Sequence, residues 1–241
     1  MSKNYILKAV VVLFCICLLT ILVPEVFAGE EGLVGYWNFE DLKKGDTEFS
    51  GFSGNERTGK LHNNTHFVED EFGKALKFDG ITDYAEIPFD EGLSCPGAMS
   101  FEAWIYPTPP HQADRNGGIV NNLHGENNSR LLVAEKSGMV MAEIYIANEH
   151  VRVKGPSALS RSWNHVVYVY DGTQGIIYVN GEPGTPISYS EKVRTGTSSL
   201  TIGWGHTGNN YHYSGLIDEV KIYNRALSAK EIKAKYEGSS K

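Results

Sequence analysis

The stretch Gly215-Leu216-Ile217-Asp218-Glu219-Val220-Lys221-Ile222-Tyr223 constrains the fold of this chain more than any other. Read as a strand with period two, one face carries Leu216, Asp218, Val220 and Ile222, and the other carries Ile217, Glu219, Lys221 and Tyr223. The first face is apolar but for Asp218. A carboxylate buried in an apolar row must be hydrogen-bonded, paired or bound to a cation, because burying it alone is too costly. Ser228-Ala229-Lys230-Glu231 then has the form of a capping box, with Leu227 and Ile232 placed as a hydrophobic staple. The spacing predicts a short helix from Ala229 to Tyr236, stopped at Gly238 and seated on one edge of a sheet.

Upstream, short alternating runs recur between turn signals. Strands are expected at Leu33–Phe39, Lys74–Phe78, Tyr84–Pro88, Met99–Ile105, Gly118–Asn121, Arg130–Glu135, Met139–Ile146 and His150–Lys154. The strongest pair is Trp163–Tyr170 and Gly175–Asn180, and Asn180-Gly181 closes it with a type I′ turn signal. Ser199–Trp204 and the opening stretch complete the set. Many short strands with regular turns and one terminal helix specify an all-β, antiparallel, two-sheet sandwich.

The N-terminus has the pattern of a signal peptide, residues 1–28. Lys3 and Lys8 precede the apolar run Ala9 to Val23, and Val26-Phe27-Ala28 fits the cleavage rule. The run falls short of the ~20 residues of a spanning helix, so no membrane insertion is expected after cleavage. Retention as an anchor is the alternative. Residues 29–241 suffice for one domain with a full core, expected to be a secreted monomer, extracellular or periplasmic. Loss of Lys3, Lys8 and Glu25 takes the net charge from −7 to −8, which argues against nucleic acid or anionic lipid as partner. Cys15 and Cys17 fall in the leader, so Cys95 has no internal disulfide partner. It reads as a small buried residue rather than a nucleophile.

Several segments, taken in order, resemble the laminin-G-like jelly-roll domains of the concanavalin A-like lectin/glucanase superfamily. They are Gly32-Leu33-Val34-Gly35-Tyr36-Trp37-Asn38-Phe39, Phe72-Gly73-Lys74-Ala75-Leu76-Lys77-Phe78-Asp79-Gly80, Asp83-Tyr84 to Ile87-Pro88, and Met99-Ser100-Phe101-Glu102-Ala103-Trp104-Ile105. Trp163-Asn164-His165-Val166, Tyr170-Asp171-Gly172, Tyr178-Val179-Asn180-Gly181 and the opening stretch through Ser228 continue the series. The resemblance implies a jelly-roll sandwich and a recognition module that binds a glycan or an extracellular protein. Fold alone does not name the ligand.

Catalysis is not expected. Retaining glycoside hydrolysis needs two carboxylates ~5–5.5 Å apart, whereas neighbours on a strand point to opposite faces. The acid clusters Glu69-Asp70-Glu71, Asp90-Glu91 and Asp218-Glu219 show no such pair. A glycoside hydrolase or lyase with acids from distant strands stays open as an alternative, as does a cell-surface adhesion module. For a carbohydrate ligand, the loop from Trp204 to Tyr213 offers Trp204, His206, Tyr211, His212 and Tyr213 as rings beside the amides of Asn209 and Asn210. The plain alternative is a connecting loop whose aromatics pack on their own turn. A structural Ca²⁺ is the second expectation, with oxygens from Asp218, Glu40 or Asp41, and the loop Ser53-Gly54-Asn55. Domains of this type often place Asp at the position of Gly51, a departure that removes one carboxylate. Without a metal, Asp218 would accept backbone N–H groups. Asp79 and Asp83 around Gly80 read as turn chemistry, and His165 as a core or inter-sheet packing residue rather than a ligand or base.

Overall fold

The computed structural model describes residues 30–53, 57–95, 97–108, 116–122, 130–134, 137–146, 149–189, 198–205, 211–239 and 241. Met1–Glu31 is a unit separate from Gly32–Lys241, and only its residues 30 and 31 are described. The expected signal peptide therefore lies outside the described residues.

The strands follow one another as β1 (Leu33–Trp37), β2 (Glu48–Phe49), β3 (Gly59–His62), β4 (His66–Asp70), β5 (Gly73–Asp79), β6 (Tyr84–Ile87), β7 (Met99–Pro107) and β8 (Gly117–Asn122). Then come β9 (Arg130–Ala134), β10 (Met139–Ile146), β11 (Glu149–Ala158), β12 (Asn164–Tyr170) and β13 (Gln174–Val179). The short β14 (Glu182–Pro183) and β15 (Ile187–Ser188) lead to β16 (Leu200–Ile202), β17 (Ser214–Tyr223) and the helix α1 (Ala229–Gly238). One sheet has the order β14-β13-β12-β7-β17-β5-β4, with β1 paired to β17 and β15 to β13. The other has the order β11-β10-β9-β8-β16-β6-β3-β2. The pairings are antiparallel throughout the described strands, and the fold is the expected two-sheet jelly-roll sandwich.

Alternation places the core. On β7, Phe101, Ala103 and Ile105 face inward, and on β12 Val166, Tyr168 and Tyr170 join them. From the second sheet Ala85, Ile87, Ile119, Ala142, Ile144, Leu200 and Ile202 close the same cluster. The turn after β13 is the one its sequence demands, with Asn180 and Gly181 both at positive φ, 53° and 79°.

Two expectations are corrected. On β17 the inward residues are Ile217, Val220 and Ile222, while Leu216 and Asp218 lie on the other face. A bulge between Asp218 and Lys221, with Glu219 at φ 51°, inserts one residue and reverses the face on either side. The helix also sits elsewhere than an edge. Its capping box is present and its staple residues Leu227 and Ile232 are buried, but they pack with Val167, Val169, Tyr178 and Tyr223 on the outer face of the first sheet. Those residues leave β12, β13 and β17 pointing away from the core, and α1 covers an apolar patch that would otherwise meet water.

Candidate ligand-binding site

The outer face of the second sheet carries an aromatic platform. On β6, Ala85 and Ile87 turn inward, so Tyr84 and Glu86 must point out. His62 lies opposite Tyr84 on β3, and the two rings stack at 4.2 Å between centroids and 2° between planes. Past β16, Gly203 at φ 82° turns the chain to Trp204; a Cβ there would lie 2.3 Å from the Phe78 ring. Trp204 forms an isolated antiparallel bridge with His212, and their rings are parallel within 8° at 5.6 Å. Tyr84 links the two halves, 4.9 Å from Trp204 and 6.4 Å from His212. All four rings are half-buried.

Buried polar groups hold this platform. Asn121 Nδ2 and Thr201 Oγ1 both donate to the Trp204 carbonyl, at 2.7 and 2.8 Å. Gly118 lets the backbone of Gly205 approach, since a Cβ there would stand 2.3 Å from the Gly205 nitrogen and 2.4 Å from the Trp204 carbonyl carbon. His212 Nδ1 lies 3.1 Å from the Asp83 carbonyl. Asp83 in turn accepts from the amides of Asn64 and Asp79, and Asp79 from those of Ile81, Thr82 and Asp83, so both acids do the turn work expected of them. Burial works to raise the Asp79 carboxyl, but these amide bonds outweigh it and hold the group below its ordinary value. For Asp83 burial wins and its carboxyl is raised.

The chemistry on offer is mixed, with apolar ring surface beside polar atoms. Rings with a few convergent polar groups are what small-molecule sites are built from. Glu86 Oε2 is 3.0 Å from His62 Nε2 beside the stack. Burial and then the Glu86 charge raise the Tyr84 phenol, which keeps it a neutral donor. Asn121 Oδ1, on a fully buried side chain, has no hydrogen-bond partner among the described residues.

Of the sequence-predicted residues, Trp204 and His212 belong to the platform. Tyr213 does not: it is fully buried and meets Phe78 edge-on at 6.5 Å, because it leads directly into β17 on the core side. Tyr211 is half-buried, and its carbonyl accepts from the Gly118 and Gly205 amides. His206, Asn209 and Asn210 lie outside the described residues, as does Asn55. The residues that sequence reasoning missed are His62, Tyr84, Glu86 and Asn121. Their one signal was an aromatic or polar side chain at the outward position of a strand.

The described donors expected for Ca²⁺ do not fit that ion. Asp218 is 2% exposed, and the Lys241 ammonium lies 2.6 Å from its Oδ2. Its Oδ1 accepts from the Glu219 amide at 2.7 Å. Burial lifts the carboxyl to about 7 even though Lys241 pulls it down. Glu40 Oε1 accepts instead from the Lys74 amide, and Asp41 Oδ2 from that of Ser50. At Gly51, where the resemblance implied a carboxylate, a Cβ would press to 2.9 Å from Trp37 Nε1 and 3.0 Å from the Arg57 carbonyl. Among the described residues no three His, Cys, Asp or Glu side chains gather as a metal site.

Two further groups are structural. Cys95 is buried, its thiol pushed up to about 11 by desolvation, so it is a poor nucleophile. His165 is fully buried, 2.9 Å from Glu102 Oε1, and Glu102 Oε2 accepts from the Tyr223 hydroxyl at 3.0 Å. The packing role expected of His165 is played under α1, with Tyr236 stacked over the imidazole at 6.3 Å, rather than between the sheets.

Comparison with known structures agrees with this architecture. The binding domain of Paraclostridial Mosquitocidal Protein 1 superposes with a TM-score of 0.69 at 14% identity, over 86% of this chain and 52% of that one. The receptor-binding domain of botulinum neurotoxin C/D mosaic serotype gives 0.67 at 15% identity, over 86% and 51%. The binding domain of botulinum neurotoxin DC in complex with rat synaptotagmin II gives 0.62 at 14% identity, over 86% and 51%. The chain thus spans about half the length of these structures, and at such identity the likeness is one of fold. No curated protein matches the sequence. The family description that does match covers residues 79–233, from the end of β5 into α1 and well over half of the chain. The protein belongs to the concanavalin A-like lectin/glucanases superfamily.

Proposed function

We propose that this domain is a non-catalytic binding module that recognises carbohydrate through the platform of His62, Tyr84, Trp204 and His212. The single observation that supports this most is the joining of four rings into one outward array, two pairs of them parallel, on a face where alternation alone would leave isolated side chains. Beside it Glu86 supplies an acceptor carboxylate, while the buried Asn121 holds the Trp204 backbone from beneath. The same fold builds domains described as binding or receptor-binding, which supports a recognition role over a catalytic one. One of those is described in complex with rat synaptotagmin II, so a protein partner is the second reading. The N-terminal pattern of Lys3, Lys8 and the apolar run supports a site of action outside the cytoplasm.

Calorimetric titration with neutral oligosaccharides tests the reading. Saturable binding that Tyr84→Ala abolishes supports it. No heat with any sugar, together with capture of a specific extracellular protein that Tyr84→Ala also abolishes, replaces it with the protein-binding reading.

A further inference from the structure

We propose that Asp218, Trp163 and Phe72 form a second site, a pocket for a primary alkylammonium group such as the lysine side chain of a partner polypeptide, which Lys241 of this chain fills in cis. The pocket is on the outer face of the first sheet and does not rest on the carbohydrate reading. Lys241 Nζ stands 4.4 Å from the centre of the Trp163 ring, 5.8 Å from that of Phe72 and 2.6 Å from Asp218 Oδ2. A cation held between a ring face and a desolvated carboxylate is the arrangement that recognises ammonium ions. The Lys241 and Asp218 side chains are only 6% and 2% exposed, so the pair is far removed from screening by water.

The walls are fixed without help from Lys241. Trp163 Nε1 donates to Asp70 Oδ2 at 3.2 Å, and Tyr106 meets the Trp163 ring edge-on at 5.9 Å. Asp218 is aimed outward by the bulge in β17, opposite Trp104, and pinned by the Glu219 amide. Removing the lysine head leaves a formed site rather than a collapsed one. Lys241 meets the carboxylate as an ammonium ligand would, its charge-assisted contact to Asp218 Oδ2 being 2.6 Å long.

The test is calorimetric titration of n-butylammonium chloride into the full chain, against sodium chloride at equal ionic strength. Lys241→Ala is expected to bind n-butylammonium saturably and about tenfold more tightly than the wild type, because the internal competitor is gone. Adding Asp218→Asn or Trp163→Leu to that variant should each weaken binding by roughly fivefold or more. The proposal fails if folded Lys241→Ala shows no saturable binding beyond the sodium control. It fails equally if wild type and Lys241→Ala bind alike, or if neither added substitution weakens binding. Trp163 lies outside the core cluster, so its variant keeps the test decisive should Asp218→Asn misfold.

Discussion

Trp204 and His212 form a bridge of their own outside the named strands, and their rings lie parallel at 5.6 Å with the Trp204 backbone and the His212 imidazole both held from below. Asn121 and Thr201 hold the Trp204 carbonyl, and the Asp83 carbonyl receives His212. The platform is thus preorganised, which lowers the ordering cost of binding.

That grip predicts a loss of affinity without contact. Asn121→Leu removes one of two donors to the Trp204 carbonyl and should weaken sugar binding about three- to tenfold, with stability reduced by about 1–2 kcal/mol. Calorimetry alongside thermal melting separates the two effects.

Gly118→Ala should be more damaging to stability. Its Cβ would meet backbone atoms of Trp204 and Gly205 at 2.3 to 2.4 Å, and backbone cannot yield as a flexible side chain can. A loss of about 2–3 kcal/mol is expected from such overpacking, read as a shift in the urea midpoint.

The helix end gives a local test. Ser228→Ala removes the bond from the Glu231 amide and the hydroxyl's bond to Glu231 Oε2, leaves the Ser228 amide bonded to that carboxylate, and should cost about 1 kcal/mol. Ile232→Ala opens a hole against Val167, Val169 and Tyr223 and should cost about 2–5 kcal/mol. Both values come from chemical denaturation.

Two buried acids predict opposite pH dependences. The Glu102 carboxyl is raised by burial but held down to about 2 by His165 first and then by Lys221 and Lys235. Because it lies below the ordinary 4.5, its contribution is complete above that value and is lost as pH falls toward 2. Asp218 stands at about 7 against an ordinary 3.8, so its contribution is complete below pH 3.8 and is lost as pH rises through 7. Relative to Asp218→Asn, the wild type should therefore lose roughly 1–3 kcal/mol between pH 4 and 8. Relative to Glu102→Gln, it should lose stability between pH 4.5 and 2. Urea melts across both windows check the signs.

The fold was largely legible because alternation and turn chemistry are local. Phe101, Ala103 and Ile105 face the core as their spacing requires, and Ser228 with Glu231 caps the helix as its residues announce. β17 misled because a bulge with Glu219 at positive φ breaks the period of two, and nothing in Asp218-Glu219-Val220 marks it. β2, β3 and β4 have two to five residues each, too few for a periodic pattern to emerge. The platform was half legible. Trp204 and His212 sit in one aromatic-rich segment, whereas His62 and Tyr84 reach them only through the pairing of β3, β6 and β16, which is tertiary information. Asp218 is buried and needs a partner, and the cation beside it is Lys241, whose place no sequence pattern marks.

The most direct test of the central claim is a glycan array probed with wild type, Tyr84→Ala and Trp204→Ala, each verified as folded by its melting curve. The account predicts a restricted set of bound glycans for the wild type and about a tenfold loss of that signal in both variants, since truncation removes a stacking contact of about 0.5–1.5 kcal/mol together with the apolar area the ring covers. Glycan binding that survives both substitutions, or no glycan binding by the wild type, would contradict it.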